Sequence, residues 1–166
     1  MPRAETQLAL LARARQAEDR IALNFIAVNE SYLIAPYRQA ALWLCDGGTD
    51  ALSGVASVER NAPFVQWLDA ACATLRGETL TVVAADLPPE LGARWAEWLP
   101  SHALWIPLRI PGTDVRAFPG GLLFASDELW EATEIAALED WTRNWALVRQ
   151  SVDPLARRRM PGRNGL

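Results

Sequence analysis

Lysine is absent from the 166 residues, so all sixteen basic side chains are arginine. With the high alanine content, this reads as a genomic bias toward GC-rich codons rather than as chemistry. Histidine is nearly absent as well, His102 being the only one. A Ser-His-Asp arrangement could run only through His102, and no residue pattern supports one. Cysteine is limited to Cys45 and Cys72, without CxxC spacing. That is too few ligands for a zinc site, and no metal or cofactor is expected. Two buried free thiols are expected rather than a disulfide. No run reaches the ~18 apolar residues needed to span a bilayer. The segment from Met1 to Arg20 lacks the apolar core of a signal peptide. A soluble, cytosolic chain is therefore expected. Acidic residues exceed basic ones for a net charge of −4, which gives no electrostatic footprint for specific nucleic-acid binding.

What is present suits one globular domain. Hydrophobic residues make up 51% and charged residues 22%, enough to build a core. The expected division is a single domain over residues 1–150, with 1–20 as a helical extension, and a disordered basic tail over 151–166.

Apolar residues at spacings of three and four predict one long helix from about Glu5 to Ile34, with Leu10, Ala14, Ala17, Ile21, Phe25, Val28 and Tyr32 on one face. Ala35-Pro36 stops it. Arg38–Cys45 and Ala51–Val58 have strand character around the turn Asp46-Gly47-Gly48-Thr49-Asp50, which reads as a hairpin. Asn61-Ala62-Pro63 opens a helix to about Leu75, with Asn61 as N-cap. Thr79–Ala84 is a β-branched strand, and Asp86 to Trp98 a short helix. His102–Ile110 and Val115–Ala125 read as a second hairpin. Pro107 there points to an edge or a bulge, and Gly120-Gly121 to a bulge or a close backbone approach. Ser126-Asp127-Glu128 opens a last helix to about Arg149, burying Ile135, Leu138, Trp141, Trp145 and Val148. The fold class is α+β, with a central, mainly antiparallel sheet of about five strands and the first and last long helices on one face.

This order resembles a GAF domain, a small sensory fold. The likeness is carried by Ala40-Ala41-Leu42-Trp43-Leu44 with Leu52-Ser53-Gly54-Val55. It continues in Ala103-Leu104-Trp105-Ile106-Pro107-Leu108, Gly120-Gly121-Leu122-Leu123-Phe124 and the acidic helix start. A narrower resemblance rests on Val28-Asn29-Glu30, Pro36-Tyr37-Arg38-Gln39-Ala40 and Arg60 to Leu68. It is to the cytosolic GAF-like regions that precede the membrane anchor in bacterial HlyD-type membrane-fusion adaptor proteins of secretion and efflux systems. That resemblance implies a basic stretch at the inner face of the membrane, and the arginines from Arg157 to Arg163 fit it. The tail then has three readings: a membrane-surface contact, an unspecific nucleic-acid contact or a plain solvated end.

Of the eight tryptophans, Trp43, Trp67, Trp105, Trp141 and Trp145 fall on core stripes. Trp95 and Trp98 lie where GAF domains close over a ligand, and with His102 they are the candidate binding residues, against the alternative that the indoles only fill the core. Gly47-Gly48 and Gly120-Gly121 lack the Lys-Ser/Thr of a phosphate loop, and no residue set supports an enzyme. The expected function is a regulatory or assembly module that dimerises, joining Leu10, Ala14, Ala17, Ile21 and Phe25 to Leu138, Trp141 and Trp145. The alternative is a small-molecule sensor with an aromatic pocket.

Overall fold

The computed structural model describes residues 3–109 and 118–152. The expected first helix is two helices, α1 (Arg3–Gln16) and α2 (Arg20–Asn29). The break lies at Asp19, which is extended (φ −151°, ψ 176°) and caps α2 by accepting from the Ala22 N–H at 2.9 Å. Aspartate offers the backbone a local hydrogen bond outside the helix, and that outweighs a continuous apolar stripe. One 3₁₀ turn, Ser31–Leu33, follows α2.

The strands are β1 (Gln39–Leu44), β2 (Gly48–Leu52), β3 (Leu80–Val82), β4 (His102–Pro107) and β5 (Gly120–Ser126). They form one sheet in the order β2-β1-β5-β4-β3, and every neighbour is antiparallel. The second strand is shorter than expected, and residues 53–58 leave the sheet. The β1–β2 register jumps from Leu42↔Ala51 to Trp43↔Thr49, so Asp50 is an extra, bulged residue. Gly120 and Gly121 pair in register with Leu44 and Trp43, without a bulge. Their role is close approach: a Cβ on Gly121 would lie 2.5 Å from the Trp105 ring. Pro107 lies two residues beyond the last residue of β4 that pairs with β3, so its missing N–H faces no ladder on that side.

Between β2 and β3 lies α3 (Pro63–Cys72), which starts from Ala62, not Asn61, with no side-chain cap. The expected 86–98 helix is two single turns, α4 (Pro89–Gly92) and α5 (Trp95–Trp98). The last helix, α6 (Ala132–Ser151), starts later than expected, at a Glu131–Glu134 capping box. Ser126 instead ends β5, and its hydroxyl takes the Glu128 N–H at 3.3 Å.

Two cores flank the sheet. On one face α1, α2 and α6 pack on Leu42, Leu104, Ile106, Leu122 and Phe124, as expected for the first and last helices. On the other, α3 and the α4–α5 turns pack on Ala41, Trp43, Ala103, Trp105, Leu123 and Ala125. Of the expected disordered basic tail 151–166, Ser151 instead ends α6, and residues 153–166 lie outside the described residues, as does the turn 110–117.

Candidate functional site

The face under α3–α5 is built from aromatic side chains. Trp67 and Trp95 meet edge to face at 6.1 Å, Trp43 and Trp105 lie tilted at 58° with centroids 6.2 Å apart, and Phe64 stacks on Trp98 at 5.6 Å. Three of these indoles also tie neighbouring segments together, from α3, α5 and β4 respectively. Trp67 Nε1–H donates to the Leu91 carbonyl at 2.9 Å, Trp95 to Pro100 at 2.6 Å and Trp105 to Arg76 at 2.7 Å. Each bond satisfies a buried donor at a helix or turn end. What remains is a cavity of about 30 Å³, lined by Ala41, Leu52, Ser53, Phe64, Leu68 and Gln39. That volume suits one or two waters. Gln39 Oε1 is buried there without a partner among the described residues.

The three candidate binding residues are not brought together. Trp95 is in this core, and Trp98 is half-buried with the Arg94 guanidinium 5.9 Å over its ring. Alternation along β4 puts His102 on the opposite face, with Leu104 and Ile106. Its Nδ1 is buried without a partner among the described residues.

The candidate dimer residues divide sharply. Leu10, Ala14, Leu138, Trp141 and Trp145 are buried inside the chain's own core, which corrects their expected place at an interface. The cause is that α1 and α6 cover the same sheet face, so their stripes meet each other and the sheet. Ala17 is half-buried, while Ile21 is 78% and Phe25 56% exposed. Phe25 forms a ridge between two grooves. One, about 340 Å³, runs between α2 and the segment after β2, and Ile21, Val55 and Arg60 line it too. The other, about 350 Å³, runs between α1 and α2, with Ala17, Arg13 and Glu30 in its walls. Glu30 pairs with Arg13 through Oε1, and its Oε2 is buried without a partner among the described residues. Sequence reading located the ridge but not Val55 and Arg60, because their approach to α2 joins segments about thirty residues apart.

The thiols are separate. Cys72 is buried and Cys45 is exposed at the β1–β2 turn, against the expectation that both are buried. Burial pushes both thiols above their ordinary value, helped by Asp69 at Cys72 and Asp46 at Cys45. Neither is an activated thiolate.

Comparison of the sequence with protein-family models and with curated proteins finds no match. Comparison of the structure does. It is similar to a domain from Sinorhizobium meliloti 1021 assigned to a two-component sensor histidine kinase, at 16% identity and a TM-score of 0.65, over 86% of this chain and 99% of that one. It is similar to the GAF domain of the cyanobacteriochrome TePixJ, at 15% identity and a TM-score of 0.58, over 83% and 93%. The GAF domain of a two-component sensor histidine kinase from Bacillus halodurans matches at 15% identity and a TM-score of 0.50, over 81% and 95%. The chain has a GAF-like fold. Among the described residues, no helix is long and apolar enough to cross a membrane.

Proposed function

We propose that this chain is a non-catalytic regulatory and assembly module of GAF type, and that two copies meet across the Phe25 ridge. The observation that carries this reading is the ridge between two grooves on one surface. A two-fold interface needs a patch that is complementary to itself, knob and hole together. Burying Phe25 and Ile21 from both copies supplies roughly 1.5–3 kcal/mol per side chain, before the cost of association.

The neighbours of this fold are described as sensor-kinase and photoreceptor domains, which supports the regulatory part. Protonated thiols support the non-catalytic part. A sensor binding a small molecule beneath Trp95 and Trp98 is the weaker reading, because the cavity of about 30 Å³ on that face has neither indole in its lining and holds no ligand of that kind. A role beside a membrane in an HlyD-type adaptor rests on the sequence motifs alone, and the structural comparisons link the chain to sensory domains instead. Sedimentation velocity from low to high micromolar protein tests the assembly. A species of twice the 18.3 kDa chain mass is expected; a monomer throughout that range would overturn the reading.

A further inference from the structure

A further cleft, of about 360 Å³, lies away from the Phe25 ridge, at the end of the sheet where α6 runs past the start of α2. Arg20 and Arg149 line it together with the apolar side chains of Leu44, Leu108 and Ala146. Its size is within the range of small-molecule sites.

Arg149 is 8% exposed, the only charged side chain in the described core. Its Nε–H donates to Asn24 Oδ1 at 3.2 Å, and Asn24 Nδ2 donates in turn to Asp50 Oδ2 at 2.8 Å. The bulge in β2 is what turns Asp50 toward this cluster. Asp50 nevertheless stays 3.8 Å from Arg149 Nη2, too far for a hydrogen bond. The Nη groups of Arg149 therefore have no hydrogen-bond acceptor among the described residues. Arg20 gives its Nε–H to the Val152 carbonyl at 2.8 Å, and its Nη groups have none either. Burial and then the neighbouring Arg20 charge push the Arg149 pKa down, with Asp50 and Asp46 opposing them. Two guanidinium groups on one wall repel each other, and an oxyanion between them would relieve that cost.

We propose that this cleft binds a small organic monocarboxylate, its carboxylate held between Arg149 and Arg20 and its apolar body against Leu44, Leu108 and Ala146. The charge of the ligand follows from the remaining acids. Asp46 on the wall and Asp50 behind Arg149 offset much of the two positive charges, which disfavours a dianion such as a phosphate ester. A guanidinium fork matches the two carboxylate oxygens in one plane.

Isothermal titration of the full chain with the straight-chain acids from butanoate to octanoate tests this. Saturable binding is expected, tightening about fourfold per added methylene while the apolar wall lasts. Arg149→Met should weaken it at least tenfold, while Arg38→Met, at the exposed Arg38–Asp127 pair, should leave it unchanged. Arg20→Met decides the matter if Arg149→Met misfolds by circular dichroism, because it leaves the Asn24–Arg149–Asp50 cluster whole; a loss of at least tenfold is again expected. No saturable binding, equal binding of the alkylamine of the same length, or undiminished binding in the folded variants would overturn the proposal. Tighter binding of the matching alkyl phosphate would overturn the monoanion assignment.

Discussion

The indole N–H of Trp141 donates to the Ser31 hydroxyl at 2.7 Å, and that hydroxyl donates onward to the Ala27 carbonyl at 2.7 Å. All of Ser31 is buried. The chain of two bonds ties the middle of α6 to the turn that ends α2. Ser31→Ala would strand a buried indole donor, at a cost of about 1–3 kcal/mol. Urea unfolding checks it, with Ser151→Ala, at an exposed serine, expected within about 0.5 kcal/mol of the parent.

Gly121 faces Trp43 across β1–β5 and packs under the Trp105 ring. Any Cβ there must push the indole away from its bond to the Arg76 carbonyl. Gly121→Ala should destabilise by roughly 1–3 kcal/mol or more. Gly47, whose added Cβ would meet open space, should accept alanine with little change. Paired thermal melts separate the two.

Asp19 starts α2 where the apolar periodicity alone would continue α1. Asp19→Ala removes the acceptor of the Ala22 N–H and should cost about 1 kcal/mol. Amide exchange in the first turn of α2 should rise more than exchange in α6.

Alkaline stability follows from two buried groups. Burial raises the Cys72 thiol above 9.0 and the Tyr37 phenol above 10.0. A raised folded-state pKa means that the stability is fully present below the unfolded value and is lost as pH rises toward the folded one. The unfolding free energy from urea titration should hold to about pH 9, then fall by roughly 1.4 kcal/mol per pH unit, and more steeply beyond about pH 10. Cys72→Ala should make the fall between about pH 9 and pH 10 shallower, leaving the smaller share of the exposed Cys45 thiol. The absence of lysine keeps this limb free of lysine titration.

The periodic stretches were legible from sequence. Leu138, Trp141 and Trp145 repeat at helical spacing and are buried together, and the two hairpins gave the antiparallel sheet. Boundaries failed where a local hydrogen bond competed with periodicity, as at Asp19 and at the Glu131–Glu134 cap. The site was less legible, for a different reason. Burial of α1 and α6 against each other is a tertiary outcome, and a stripe by itself does not say whether its partner is the same chain. Likewise, strand alternation, not sequence proximity, separates His102 from Trp95. One signal was present and unread: Arg149 continues the Trp141–Trp145 spacing of four, which turns an arginine inward.

The most direct test of the account compares Phe25→Asp with Leu129→Asp by multi-angle light scattering. Both side chains are more than half exposed, and only Phe25 stands on the ridge between the grooves. The account predicts a dimer for the parent and for Leu129→Asp, and an 18.3 kDa monomer for Phe25→Asp. A Phe25→Asp chain that remains dimeric, or a parent that is monomeric at the same concentration, would contradict it.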